Sequence, residues 1–327
     1  MSSTLSTDST LPGNTGNSRP FSLSELADSP LQRLHSEFLE QAKIKLYVKR
    51  DDLIHPRFGG NKWRKLKYNL IYAREHQLDT LLTFGGAWSN HIYATAAAAK
   101  YFGFNSIGII RGEKHTPLNA TLSFAEKCGM KLHYLTRSEY RHKNEQPFLK
   151  KLKQQFGDVY LLPEGGSNTL ALKGCAEIVD EVNRQIDQPF DIINCASGTG
   201  ATLAGLASAL EPGQSVTGFS ALKGGDFLRA DVENFLKNSI ISADDCLPEN
   251  WKVETRYHFG GYARINLELI KFMQQFQADY GFELDAVYTG KMFYGLFDLI
   301  QAGTFKPGTA IVAVHSGGLQ GNKGFNL

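Results

Sequence analysis

The chain has 327 residues, 42% apolar and 21% charged, the make-up of an ordinary soluble globular protein long enough for one large or two interleaved α/β domains. A formal net charge of +2 gives no basis for nucleic acid or an anionic membrane surface as partner. Cys128, Cys175, Cys195 and Cys246 stand far apart with no C-x-x-C pair, which argues against a disulfide framework and a zinc site.

Residues 1–20 are polar, rich in Ser and Thr, and lack an apolar run of signal-peptide length, so a disordered tail is expected there. No later segment has the roughly eighteen consecutive apolar residues that span a bilayer, and a cytoplasmic protein is expected. From about residue 60, short apolar runs alternate with longer segments of helical period, the pattern of mostly parallel sheets flanked by helices. In chain order the strands are predicted at Asp79–Phe84, Ser106–Arg111, Lys131–Leu135, Val159–Leu162, Asp191–Cys195, Ser215–Ser220 and Thr309–Val314. The helices are predicted at Lys62–Glu75, Asn90–Phe102, Leu118–Cys128, Pro147–Phe156, Leu170–Ile186, Thr199–Leu210, Ile265–Tyr280 and Lys291–Ala302. No proline-rich linker divides the chain, so two domains would share it discontinuously: residues 21–64 and 166–327 in a larger cofactor-binding one, residues 65–165 in a smaller one inserted in it.

Three turns carry candidate chemistry. FGGNKWRKLKY, residues 58–68, delivers Lys62 out of a paired-glycine turn into a helix. A lysine with its backbone so fixed can be partly buried, which lowers its pKa and frees its amine to form a Schiff base. The same residues also read as a helix capped by Asn61 with an exposed basic face of Lys62, Arg64, Lys65 and Lys67, and local physics does not choose between Lys62 and Lys65. FGGAWSNH, residues 84–91, puts Ser89 and Asn90 at the positive end of an alanine-rich helix. ASGTGATLAG, residues 196–205, has small or hydroxyl residues from Ser197 through Gly198, Thr199, Gly200 and Ala201 to Thr202, so its backbone can wrap an anion while the hydroxyls add donors.

That third turn is a phosphate cup without dinucleotide or magnesium signatures. Leu203 stands where G-x-G-x-x-G requires Gly, and Gly290-Lys291 is followed by Met292 where a P-loop needs a hydroxyl. A Schiff-base lysine with a monophosphate cup points to pyridoxal 5'-phosphate. Nine histidines show no ligand spacing, so no metal is expected.

With these segments together, the chain resembles the fold type II, tryptophan synthase β-like pyridoxal phosphate enzymes, and within them the family of 1-aminocyclopropane-1-carboxylate deaminase and D-cysteine desulfhydrase. The resemblance is carried, in order, by VKRDD (48–52), FGGNKWRKLKY (58–68), GGAWSNH (85–91), PEGGSN (163–168), ASGTGATLAG (196–205), VYTGKMFYGLFDLI (287–300) and HSGGLQG (315–321). It implies that Lys62 rather than Lys65 forms the Schiff base, with Asn61 beside it at the cofactor. It further implies that Asn90 hydrogen-bonds the 3' oxygen, that Ser89 lies over the substrate face, and that the 197–202 turn takes the phosphate. A homodimer is also implied.

Where the deaminases carry Tyr-Glu the chain reads Tyr288-Thr289, and Ser316 stands where the desulfhydrase branch has threonine; both lean to that branch. Ser316 or Thr289 is then the hydroxyl partner of the pyridine nitrogen. A hydroxyl leaves the ring a weaker electron sink than a carboxylate does, which is enough for β-elimination of a thiolate. Tyr288 assists the leaving group, and Tyr262 is a second candidate for that task unless it is a packed core tyrosine. Trp63 and Trp88 depart from the family pattern and are expected to narrow or re-line the pocket; Met292, Phe293 and Tyr294 read as helix packing. The expected activity is α,β-elimination from a small β-substituted D-amino acid such as D-cysteine. The alternatives are ring-opening deamination of 1-aminocyclopropane-1-carboxylate and a non-catalytic phosphate- or nucleotide-binding protein.

Overall fold

The computed structural model describes residues 26–239 and 247–325; the expected tail at residues 1–20 and Cys246 lie outside them. The chain opens with β1 (Leu31–Leu34), α1 (Glu37–Ala42) and β2 (Lys45–Lys49), followed by α2 (Asn61–Glu75). Next come β3 (Thr80–Gly86), α3 (Asn90–Phe102), β4 (Asn105–Arg111), α4 (Ala120–Lys127), β5 (Lys131–Leu135), α5 (Arg137–Tyr140), α6 (Gln146–Phe156) and β6 (Tyr160–Leu162). The remainder is α7 (Thr169–Gln185), β7 (Ile192–Ser197), α8 (Ala201–Ala207), β8 (Ser215–Ser220), α9 (Phe227–Ser239), β9 (Trp251–Glu254), α10 (Leu267–Tyr280), α11 (Thr289–Gln301) and β10 (Ala310–Val314).

Two sheets result. One has six strands in the order β1-β2-β10-β7-β8-β9, parallel except for the β1–β2 pair; the other has four parallel strands in the order β5-β4-β3-β6. The central strands are continuous apolar runs because both faces are covered, as in β10, where Ala310 to Val314 are all buried. On one face of the large sheet α7, α8 and α9 pack Val179, Val182, Leu203 and Val232; on the other α10 and α11 pack Met273, Phe276, Phe293 and Leu296. On the small sheet α2 and α3 cover one side with Leu66, Leu70, Ala94 and Ala98.

Local signals explain the helix limits. Ser89 caps α3 by accepting from the N–H groups of His91 and Ile92, and Gly103 ends the helix in the left-handed region. Asn119, Asn168 and Asn266 cap α4, α7 and α10 through their side-chain oxygens. The predicted helix Thr199–Leu210 is shorter in the structure, Ala201–Ala207, because Gly200 still belongs to the preceding turn. Gly174 on α7 permits close crossing with α2, since a Cβ there would lie 1.9 Å from the Arg64 carbonyl oxygen. No helix among the described residues is long and apolar enough to cross a membrane.

Candidate active site

The loops following β3, β4, β6, β7, β8 and β10 all lie at the carboxyl ends of their strands and enclose one cavity of about 550 Å3, where doubly wound sheets bind ligands. Its lysine side is built by a close approach. Gly60 has φ +69°, and a Cβ on it would lie 1.9 Å from the carbonyl oxygen of Ser316, so only glycine lets the turn before α2 meet the turn after β10. Asn61 is not the cap expected of it: Gly60 holds that position, while Asn61 begins the helix and its Nδ2 donates to Thr202 Oγ1 at 3.1 Å.

The exposed basic face considered for α2 is also absent. Arg64 and Lys65 are buried. Arg64 grips Asp51 in a two-point pair, with Nη2 to Oδ1 2.8 Å and Nε to Oδ2 3.1 Å, and donates to both oxygens of Glu181. Lys49 meets the same Glu181 at 2.6 Å. This network joins β2, the 51–53 turn, α2 and α7, and so sets the position of the helix that carries Lys62. Trp63 faces away from the cavity and stacks on Phe102 in the core, contrary to the expectation that it re-lines the pocket; Trp88 does line it and is 46% exposed.

Lys62 lies on the cavity wall, and burial together with the neighbouring Lys65 ammonium pulls its pKa down to about 7. A sizeable fraction of its amine is therefore neutral and nucleophilic near pH 7. Lys65, one turn further on, is shifted down by burial and meets only hydroxyls, Ser167 Oγ and Thr199 Oγ1, each at 3.2 Å. It is placed beside the phosphate-cup turn, and among the described residues no carboxylate pairs with it. Sequence reading treated it as a rival Schiff-base lysine and missed this placement, although the i, i+3 spacing from Lys62 already puts both on one helix face.

His91 was likewise not singled out. Thr83 Oγ1 donates to the Leu162 carbonyl oxygen and so accepts from His91 Nε2, 2.8 Å away; this fixes the Nε2–H tautomer and leaves Nδ1 a buried acceptor without a partner among the described residues. Burial and the two lysines hold its pKa well below the ordinary value, so it is neutral.

Across the cavity, Ser197, Gly198, Thr199, Gly200 and Thr202 line the surface, whereas the Ala201 side chain is buried behind it and can contribute only its backbone N–H. The Ser197 hydroxyl is buried with no hydrogen-bond partner among the described residues. A Cβ on Gly198 would lie 3.0 Å from the Tyr288 ring, so a larger residue there would press on Tyr288. Between the two sides stand Ser89, whose proton no described acceptor takes, and Asn90, whose Oδ1 accepts from Gln320 Nε2 at 2.9 Å, leaving Nδ2 as donor.

Tyr288 and Tyr262 meet edge to face, centroids 6.2 Å apart. Burial and the Tyr262 phenol push Tyr288 well above the usual tyrosine range, so it stays protonated. Tyr262 is no packed core tyrosine: it is 44% exposed and lines the cavity. Its loop is held by Lys291, whose buried ammonium donates to the carbonyl oxygens of Gly261 (2.7 Å), His258 (2.9 Å) and Ala221 (3.5 Å). Ser316 lines the cavity. Thr289 does not: its hydroxyl accepts from the Asp285 N–H at 2.8 Å and donates to Asp285 Oδ1 at 3.3 Å, behind the wall. Of the two candidate hydroxyls, Ser316 alone lines the cavity. Met292 and Phe293 are core, as their reading as helix packing requires.

The described residues contain no group of three His, Cys, Asp or Glu close enough to hold a metal. What they offer is an amine of lowered pKa opposite a turn of small residues, with an orphaned buried hydroxyl and an uncompensated ammonium beside that turn. This donor set fits an aldehyde-bearing monophosphate.

A family model for pyridoxal-phosphate dependent enzymes matches residues 24–317. The chain belongs to that family. A Pyrococcus horikoshii protein provisionally named 1-aminocyclopropane-1-carboxylate deaminase is 32% identical over 302 residues, covering 90% of each chain. The bifunctional D-cysteine desulfhydrase/1-aminocyclopropane-1-carboxylate deaminase of Arabidopsis thaliana is 31% identical over 328 residues, 93% of this chain and 79% of that one. The crystal structure of an ACC deaminase homologue superposes with TM-score 0.78 at 29% identity, covering 90% and 91%. The protein is thus a pyridoxal-phosphate dependent enzyme of the α/β fold type II class, and that cofactor is the monophosphate its cavity suits.

Proposed function

We propose that the enzyme catalyses α,β-elimination from a small β-substituted amino acid of the D-cysteine type, releasing 2-oxo acid, ammonia and the β-substituent. Pyridoxal phosphate, when bound, supplies the aldehyde that captures the amino group and the electron sink that acidifies the Cα–H. Lys62 provides the amine that anchors it and, once displaced by substrate, the base that takes the Cα proton. The N–H groups of residues 198–202, the Ser197 and Thr199 hydroxyls and the Lys65 ammonium hold the phosphate. Asn90 Nδ2 would donate to the ring oxygen of the cofactor, and Ser89 at the start of α3 would meet the substrate carboxylate. Tyr288, held protonated, donates to the departing sulfur, with Tyr262 closing that side.

The observation that carries the choice of elimination over ring opening is the hydroxyl character of the site next to Tyr288. Ser316 is the only one of the two candidate hydroxyls on the cavity, and the carboxylates that line it, Asp52 and Glu164, are engaged with Arg50 and with Lys143 and Tyr140. A ring nitrogen met by serine serves a good leaving group better than a ring carbon. The deaminase names among the relatives support ring opening as the second reading.

Pyruvate and 2-oxobutyrate release from D-cysteine, L-cysteine, β-chloro-D-alanine, D-serine and 1-aminocyclopropane-1-carboxylate tests the choice. Turnover of D-cysteine and chloroalanine is expected; activity on the cyclopropane alone would reverse it. The homodimer implied by the family resemblance belongs to the same reading, and sedimentation of the holoenzyme checks it.

A further inference from the structure

Two guanidinium groups on the cavity, Arg57 and Arg111, have no part in the reaction above, and Arg57 lies over the Phe124 ring with its Cζ 5.7 Å from the centroid. Arg111 ends β4 in register with Gly86, the last residue of β3. Its guanidinium folds over that glycine, Nη2 lying 3.5 Å from where a Gly86 Cβ would stand, and so reaches the turn that presents Trp88 and Ser89. On its other side the Tyr140 ring centre is 5.9 Å from Cζ, and its charge acts on the Tyr262 phenol across the opening. Arg111 is exposed to the cavity and makes no ion pair among the described residues.

The nearby carboxylates do not answer it. Asp52 is held by Arg50 through two contacts of 2.8 and 2.9 Å, and Glu164 by Lys143 at 3.4 Å and the Tyr140 hydroxyl at 2.9 Å. With Lys65 assigned to the phosphate and the start of α3 to the α-carboxylate, a planar two-point anion receptor is left on the Tyr262 side of the cavity, where the β-substituent leaves.

We propose that Arg111 selects amino acids whose β-substituent carries an anionic group, a carboxylate, sulfonate or phosphate, with Trp88 and Tyr262 flanking the substituent. The proposal rests on the elimination reading and narrows its substrate class. In the step it serves, Lys62 takes the Cα proton, the electron pair of that bond becomes the Cα–Cβ double bond, and the Cβ–S or Cβ–O bond breaks with its pair leaving on the heteroatom. Tyr288 protonates a departing thiolate, and water converts the enamine product to pyruvate and ammonia.

The test uses S-carboxymethylcysteine and S-ethylcysteine, both enantiomers of each, with the holoenzyme and with Arg111→Gln. The two compounds share the leaving atom and near-equal length but differ in charge. For the native enzyme kcat/KM is expected to favour the carboxymethyl compound by about 10- to 100-fold, mainly through KM, the range of one charge-assisted pair. Arg111→Gln is expected to collapse that ratio toward one. Equal treatment of the two compounds by the native enzyme would overturn the proposal, as would a variant that loses both equally and keeps the ratio. Binding is read separately, from the change in cofactor absorbance on titrating each compound. Charge-selective binding that depends on Arg111 but leads to no turnover would sink the elimination reading while upholding the receptor.

Discussion

Replacing Arg64 by Met removes one guanidinium and strands two carboxylates, Asp51 and Glu181, whose side chains are 0% and 5% exposed. Burial raises the Glu181 pKa, but Arg64 and Lys49 overcome that and hold it at about 2 against an ordinary 4.5, a displacement equivalent to about 3 kcal/mol. Breaking a buried pair by removing one partner costs about 3–5 kcal/mol, so two lines of reasoning converge. Lys49 remains 2.6 Å from Glu181 and Ser29 Oγ donates to Asp51 at 2.6 Å, which keeps the loss toward the lower end. Because the folded-state pKa of Glu181 is depressed, its stabilisation is fully present above pH 4.5 and is lost as pH falls toward 2. Urea unfolding followed by tryptophan fluorescence should therefore show a deficit of about 3–4 kcal/mol for Arg64→Met at pH 7, narrowing by pH 3. A deficit below about 1 kcal/mol at pH 7, or one that grows on acidification, would mean that the network does not hold α2 in place through charge.

Lys65→Met should weaken cofactor affinity by about 10- to 100-fold without abolishing the covalent adduct, measured by equilibrium dialysis; unchanged affinity would remove Lys65 from the phosphate site. Ser316→Ala should alter the visible absorbance of the holoenzyme and its turnover, whereas Thr289→Ala should cost about 1 kcal/mol of stability through Asp285 and leave the spectrum in place; the opposite pattern would return Thr289 to the ring nitrogen. Lys291→Met orphans three carbonyl groups and should lower kcat about tenfold by releasing Tyr262. In a double-mutant cycle with Tyr262→Phe the losses should then be less than additive, and full additivity would show that Lys291 acts elsewhere.

The strands legible in the sequence are those whose burial on both faces writes a mostly apolar run, such as Ala310–Val314, read from the sequence as Thr309–Val314. Those that sequence reading missed are short or carry charge. Lys45–Lys49 reads as half polar because Lys49, fully buried, is made tolerable only by Glu181 from a helix far along the chain. Leu31–Leu34 and Trp251–Glu254 are four-residue strands at the two edges of the large sheet, with too little pattern to recognise.

The site divides in the same way. Turn chemistry and family motifs point to Lys62, Ser89, Asn90 and the 197–202 loop, because backbone conformation and small side chains leave a local signature. Contacts across elements do not: that Thr289 turns back onto Asp285, that Trp63 joins the core through Phe102, and that Lys65 reaches Thr199 all depend on packing between segments far apart in sequence.

The covalent anchor decides most of what has been inferred. Borohydride reduction of the holoenzyme followed by peptide mapping should bleach the visible band and leave a pyridoxyl group on Lys62 within residues 58–68, and Lys62→Ala should bind the cofactor without forming a reducible adduct. A label on Lys65, or a reducible band that survives in Lys62→Ala, would contradict the assignment.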